Sequence, residues 1–252
     1  MSIEIDLSGK VALVTGGSAG IGREICLRLA EAGADIAFTW PPSEDAPVEM
    51  CRTIRGLGVK VLDFQADVSD DEMAVVVVDS IAREFGELDI LVCNAGISKD
   101  SVLWKMDISD WREVIAVNLD GAVNHLIPFS GLARNNPKPR SIILVSSINA
   151  LRGKRGQAAY AASKAGLIGL ARSAAKDLGR WQVTCNVIAP GMVDTEMISG
   201  LSKEVIESAK SETLNGRIAT PRDIADVALF LSSDMSRHNS GAMIPVDGGQ
   251  LL

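Results

Sequence analysis

The 252-residue chain is short of histidine, cysteine, positive charge and long apolar runs, and each shortage removes a class of function. His125 and His238 lie in unrelated segments with no second ligand at metal spacing, which argues against a histidine-centred metal site; no metal is expected. The four cysteines (Cys26, Cys51, Cys93, Cys185) are far apart and form no C-x-x-C pair. They read as reduced packing residues rather than a disulfide or zinc framework. No stretch approaches about 18 uninterrupted apolar residues, so no membrane span is expected. The opening MSIEIDLSGKVALVTGG lacks the basic leader, apolar core and cleavage site of a secretory signal, and a cytoplasmic location is expected. Lys and Arg number 25 against 32 Asp and Glu, a net charge of −7, which leaves no basic face for nucleic acid.

What is present is apolar residue in quantity, 47% of the chain, enough for a sizeable core in one layered domain spanning 1–252. Short β-rich runs at 10–16, 34–40, 60–67, 88–96, 140–147, 183–190 and 242–249 alternate with helical patterns at 21–32, 46–57, 70–85, 109–135, 157–180, 202–210 and 221–233. Runs such as IILV and DILVC are continuously apolar, as strands buried on both faces are. The alternation predicts an α/β fold: a doubly wound parallel sheet of about seven strands with helices on both faces. Ser69-Asp70-Asp71-Glu72 predicts a capping box with Ser69 at the N-cap. Thr220-Pro221-Arg222-Asp223 predicts a capped start with proline in the first turn. PPSEDAP (41–47) reads as a loop after the second strand.

Thr15-Gly16-Gly17-Ser18-Ala19-Gly20-Ile21-Gly22 follows the first strand and opens a helix. Missing Cβ atoms let backbone approach a pyrophosphate, and the first helical N–H groups hold the anion. A tight turn without a ligand is the plainer alternative, weakened by the position of this loop at the first β–α turn. Tyr160 and Lys164 are four residues apart on a predicted helix and share one face. A phenol ionises near ~10 and is a poor base at neutral pH, but an adjacent ammonium should lower that value and suit Tyr160 to proton transfer.

In this order, the glycine loop, Cys93-Asn94-Ala95-Gly96 and Tyr160-x-x-x-Lys164 resemble the short-chain dehydrogenase/reductase family. The similarity extends over essentially the whole chain, through Pro190-Gly191 and Val246-Asp247-Gly248-Gly249. GQAAYAASKAG (156–166), GRIATPRDIA (216–225) and DSVLWKMDISDWREVIAVNL (100–119) are most similar to 3-oxoacyl-[acyl-carrier-protein] reductases of that family. The resemblance implies a Rossmann-type fold and hydride transfer between a nicotinamide cofactor and a carbonyl or alcohol carbon. It also implies a role in fatty acid biosynthesis and a homotetramer paired through the helices before Ser147 and around Tyr160. Ser147, thirteen residues before Tyr160, is then the residue that holds the substrate oxygen, with Ser146 its competitor. Asn118 joins Ser147, Tyr160 and Lys164 as the fourth catalytic member, linking Lys164 to bulk water. Cys93 stands where the family more often has asparagine, and with it one strand-bracing hydrogen bond is expected to be lost.

For the cofactor the resemblance implies Gly16, Ser18, Ala19, Gly20, Ile21 and Gly22 at the pyrophosphate. Asp67 and Val68 are expected at the adenine, although Asp67 also reads as a helix-entry cap. Asn94, Ala95 and Gly96 are expected along the riboses, and Pro190, Gly191, Val193 and Thr195, with Tyr160 and Lys164, around the nicotinamide half. Trp40 ends the second strand, where an acid would hold a ribose 2′-hydroxyl. With Phe38-Thr39-Trp40-Pro41 there and no acid, NADP(H) is favoured over NAD(H) by default. Asn149, Leu151, Gln157 and Met192, with Ser147 and Tyr160, are expected to line the substrate pocket, and about 192–215 to form a mobile lid. An acyl-carrier protein, being acidic, would need basic residues at the mouth; Lys99, Lys105, Arg134, Lys138, Arg140, Lys154 and Arg155 are the candidates. Two other readings stay open: a dehydrogenase of a small alcohol, sugar or cyclic ketone, and a catalytically silent dinucleotide-binding regulator. A serine hydrolase is disfavoured, since no G-x-S-x-G elbow flanks Ser147.

Overall fold

The apolar runs do form strands, because each buries side chains on both faces of one sheet. The computed structural model describes residues 4–198, 200 and 202–252. Among the described residues the strands are β1 (Val11–Val14), β2 (Asp35–Trp40), β3 (Val61–Gln65), β4 (Ile90–Cys93), β5 (Arg140–Val145), β6 (Val183–Pro190) and β7 (Met243–Val246). All pair in parallel, in the order β3-β2-β1-β4-β5-β6-β7, with Val14 opposite both Phe38 and Val92. The helices are α1 (Gly20–Glu31), α2 (Val48–Gly56), α3 (Asp71–Phe85), α4 (Ile108–Ile115), α5 (Gly121–Asn135), α6 (Asn149–Arg152), α7 (Ala158–Leu178), α8 (Lys203–Ser211) and α9 (Pro221–Ser232). Among the described residues no helix is long and apolar enough to cross a membrane.

Alternation along β1 divides the core. Ala12 and Val14 pack with Ile25 and Leu29 of α1 and Ile224 and Leu229 of α9. Val11 and Leu13 pack on the other face with Val77 and Ile81 of α3, Phe129 of α5 and Leu167 of α7. Full burial of each such side chain contributes roughly 1.5–3 kcal/mol. The chain reverses direction of travel between β1 and β4, so a crevice opens beyond their carboxyl ends. Such switch points are where open α/β sheets bind ligands.

Three local expectations need correction. Ser69 is not the N-cap of α3: its N–H and hydroxyl both donate to Asp67 Oδ1 (2.9 and 2.7 Å), and Asp70 caps instead, accepting from Met73 N at 2.9 Å. The single helix expected over 109–135 is α4 and α5 joined by a π-helical turn at Ala116–Asp120. β4 stops at Cys93, short of the expected 96, because Asn94 and Ala95 leave the ladder to brace the glycine loop. By contrast, Thr220 and Asp223 form a full reciprocal capping box at α9, with Pro221 in its first turn. The short helix α6 carried no periodic signal.

Candidate active site

The glycine loop is fastened from both sides. Gly16 N–H donates to Thr39 Oγ1 (3.1 Å) and Gly17 N–H to the Thr39 carbonyl (2.9 Å). From β4, the Asn94 amide donates to the carbonyls of Thr15 (3.1 Å) and Gly16 (3.0 Å), while Thr15 Oγ1 accepts from Asn94 N and Ala95 N. Asn94 therefore serves the loop with its side chain, a role that the expected ribose contact did not include. Gly16 adopts φ +60° and Gly20 φ +53°, the left-handed region. A Cβ at Gly22 would collide with the Gly16 carbonyl and the Asn94 amide. Ala19, at the N-cap of α1, offers no side-chain cap, leaving the first N–H groups for an anion. A shallow cradle with free helical N–H donors fits a dinucleotide pyrophosphate. Thr195 lies against this cradle, its methyl 3.5 Å from where a Gly20 Cβ would stand.

The neighbouring positions divide. Val68 is buried against Gly121 at the start of α5, and its carbonyl accepts from Asn124 (3.1 Å); Asp67 is exposed. Trp40 turns inward, 7% exposed, its indole N–H donating to Asp63 Oδ2 at 3.0 Å. Beyond the proline pair the loop folds back, Glu44 N–H donating to the Pro41 carbonyl (3.1 Å), and Ser18 Oγ donates to Glu44 Oε2 at 2.8 Å.

Beyond β5, the two serines separate. Ser146 is spent on structure, its hydroxyl donating to the Lys164 carbonyl at 2.7 Å in the interior. Ser147 Oγ accepts from Asn149 N at 3.1 Å and is hydrogen-bonded to Tyr160. Lys164 is 3% exposed; its Nζ donates to the Val145 carbonyl (2.9 Å) and lies 5.8 Å from the Tyr160 ring centre. Asn118, 2% exposed in the π-helical turn, accepts from Ile97 N (2.8 Å) and donates to Ile97 O (3.0 Å) and Ser163 Oγ (3.1 Å). π-Turns recur at functional sites. A Cβ on Gly96 would stand 3.0 Å from Lys164 Nζ and 3.3 Å from Asn118 Oδ1, so glycine makes room for both.

The electrostatics differ from the expectation that Lys164 lowers the Tyr160 pKa. Burial pushes the Tyr160 phenol above its ordinary value, the Ser147 hydrogen bond opposes that, and the Asp100 carboxylate adds to it. Lys164 fails to offset this because it is itself stripped of water, which pulls it down to about 8.

Asp100 was not anticipated. It accepts from Gln157 Nε2 at 3.1 and 2.9 Å and from Ser98, while Asn149 Nδ2 donates to Gln157 Oε1 at 2.9 Å. Asn149 and Gln157 thus join one polar chain beside Ser147, whereas Leu151 is exposed. Gln250 was also missed: its Oε1 accepts from Met192 N (3.0 Å), and its backbone carbonyl accepts from Arg152, which also pairs with Glu212 beyond α8. Pro190 accepts from Ile148 N (2.9 Å), Gly191 N–H donates to Val246 O (3.0 Å), and Val193 bridges Ala219. Of the basic candidates, Arg140 is buried on the Leu88 and Asn136 carbonyls and Glu87. Lys138 pairs with Glu87 and Asp89, and Arg134 lies in the last turn of α5, so all three lie toward the amino ends of the strands, away from the crevice. Lys99 is engaged by Asp110 and Glu113, and Lys105, Lys154 and Arg155 are exposed.

A doubly wound sheet with a glycine cradle at its switch point and a Ser-Tyr-Lys group across the crevice defines a nicotinamide-dependent oxidoreductase acting on CH–OH or C=O. The model of a family described as enoyl-(acyl carrier protein) reductase matches residues 16–250, and the chain belongs to the short-chain dehydrogenase/reductase family. It is 37% identical over 249 residues to the 3-oxoacyl-[acyl-carrier-protein] reductase FabG of Thermotoga maritima, covering 98% of this chain and 99% of that protein. It is 40% identical over 250 residues to FabG of Chlamydia muridarum, covering 96% and 98%. A crystal structure from Sinorhizobium meliloti 1021, provisionally described as a short-chain alcohol dehydrogenase, superposes with a TM-score of 0.93 at 33% identity, covering 98% of both chains.

Proposed function

We propose that this enzyme reduces 3-oxoacyl thioesters to 3-hydroxyacyl thioesters, carried on an acyl-carrier protein or a smaller thiol. The observation that carries the chemistry is the meeting of Ser147, Tyr160 and Lys164 across from the glycine cradle. The substrate class is supported by identity of 37–40% over nearly the whole chain to 3-oxoacyl-[acyl-carrier-protein] reductases.

A bound nicotinamide dinucleotide supplies the hydride. Ser147 Oγ, already accepting from Asn149 N, keeps its own proton to donate to the carbonyl oxygen as negative charge builds there. Tyr160 passes its phenolic proton to that oxygen. Lys164 is anchored on the Val145 carbonyl beside the Tyr160 ring, and Asn118 holds the Ile97 backbone through both its N–H and its carbonyl. Asn149, Gln157 and Met192 border the substrate. Residues 192–215, of which 199 and 201 lie outside the described residues, act as its lid, held on one side by the Arg152–Glu212 ion pair. Lys105, Lys154 and Arg155 meet the acidic carrier. NADP(H) is the dinucleotide we assign, since no acid stands at Thr39 or Trp40. The cytoplasm is the compartment we assign. The quaternary state is a homotetramer: Ile127 of α5 is exposed, and α7 presents Ala165 and Gly169 outward.

Acetoacetyl thioester assayed with NADH and NADPH, beside a panel of alcohols and ketones, tests the reading. Reduction of the thioester in preference to the panel is expected. No dinucleotide consumption with the thioester, but oxidation of a small alcohol, would replace it with the dehydrogenase reading. Tyr160→Phe should abolish turnover while dinucleotide still binds.

A further inference from the structure

Ser147 leads into α6, which is four residues long, and a single helical turn is marginal unless its side chains are tied down. Ser147 Oγ receives the Asn149 N–H at 3.1 Å, so its direction follows the placement of Asn149. Asn149 is held from both sides. Arg152 Nε donates to its Oδ1 at 3.2 Å, and its Nδ2 donates to Gln157 Oε1 at 2.9 Å. Gln157 Nε2 in turn donates to both carboxylate oxygens of Asp100, at 3.1 and 2.9 Å. Backbone stitches the two segments together beside this contact: Ser101 N–H donates to the Gly156 carbonyl at 2.8 Å, and Ser101 bridges Gln157 in parallel.

The ends of this chain fix its direction. A carboxylate only accepts and a guanidinium only donates. Facing Asp100, Gln157 must present its NH2 there and turn its oxygen to Asn149. Facing Arg152, Asn149 must present its oxygen there and turn its NH2 to Gln157. Only one arrangement of the two amides satisfies every contact. We propose that Asp100 is a positioning residue for Ser147, acting through Gln157 and Asn149. This role rests on the hydride-transfer reading above and deepens it. With both amides locked, the Asn149 N–H stays on Ser147 Oγ, and the Ser147 proton is left for the substrate oxygen. What Asp100 contributes is an acceptor turned toward Gln157, a polarity that the two residues can exchange.

That exchange is the experiment, read at pH 7 where the phenol stays protonated in every variant. Gln157→Glu sets two carboxylates face to face. It should lower kcat on the carbonyl substrate about tenfold with KM within about twofold, the pattern of an interaction made only in the transition state. Asp100→Asn should cost no more than about threefold, since Oδ1 already accepts from both Gln157 and Ser98. Combining the two should return kcat to within about threefold of the unaltered protein. The introduced amide then donates to the introduced carboxylate, whose second oxygen still receives Asn149 Nδ2. A double variant no faster than Gln157→Glu would overturn the proposal, as would a loss confined to KM, which would make Gln157 a substrate contact only. Tyr160 gives a second measurement without substrate. Gln157→Met changes no charge, and it should delay phenol ionisation to higher pH in ultraviolet titration, because the Ser147 hydrogen bond holds that pKa down. An unchanged titration would also overturn the proposal. Turnover of a ketone or alcohol in place of the thioester would remove only the substrate class, and the same variants are then read on that compound. No turnover of any carbonyl would remove the reaction and leave the phenol titration to decide the role of Asp100.

Discussion

A lysine sealed from water is an unusual thing for a fold to keep. Lys164 donates to a neutral acceptor, the Val145 carbonyl, and burial pulls its pKa from 10.5 to about 8. Such a fall corresponds to roughly 3 kcal/mol. Between about pH 8 and 10.5 the unfolded chain holds a proton here that the folded protein has released, so raising pH through that window stabilises the ligand-free protein. Below about 8 both states are protonated and the full cost of burying the ammonium is felt. Lys164→Met should therefore abolish turnover and raise the unfolding free energy at neutral pH by up to about 3 kcal/mol, less what the Val145 carbonyl loses, and with it the denaturation midpoint. A lower midpoint in denaturant titration would contradict the account. Asp100 acts on the other member of the pair. It raises the Tyr160 pKa, so Asp100→Asn should let the phenol ionise at lower pH. Tyr160 is the single tyrosine of the chain, and phenolate absorbance in the ultraviolet will read that one residue. No movement of the absorbance titration would show that Asp100 is electrostatically silent.

At the scale of elements, the glycine loop is held by β2 through Thr39 and by β4 through Asn94, and α1 begins where the two meet. Gly22→Ala should cost dinucleotide affinity at least tenfold while leaving the sheet folded, since its Cβ strikes the Gly16 carbonyl and the Asn94 amide. Calorimetry beside far-ultraviolet circular dichroism separates the two effects; unchanged affinity would show that the loop yields. The motifs at this level were legible because they are local. Gly16 to Gly22 and Tyr160 to Lys164 lie within a turn or two of each other, and buried strands such as Ile142–Val145 announce themselves by continuous apolar sequence. What was not legible depends on which way a side chain turns over long chain separations. Ser18 meets Glu44 across 26 residues and Gln157 meets Asp100 across 57. Ser146 and Ser147 differ only in that one faces the Lys164 backbone and the other Tyr160. The capping site slipped from Ser69 to Asp70 for the same kind of reason: Asp67 reached Ser69 first.

Across the whole molecule, apolar surface remains where the two-layered core cannot use it. Leu103 and Trp104 ahead of α4, Ile108 at its start and Ile127 on α5 are each more than half exposed. Light scattering should give a mass of four chains, and Ile127→Glu should lower it; a monomer in the unaltered protein would refute the tetramer. The π-helical turn at Ala116–Asp120 lies between this surface and the chemistry. Each residue advances a helix by about 100°. The π-turn takes up about one residue more than an α-turn, so deleting a residue there would leave the outer face of α5 where it is and remove only the bulge that carries Asn118 inward. The outer face and the asparagine can therefore be altered separately, the one by surface substitution and the other by a single deletion.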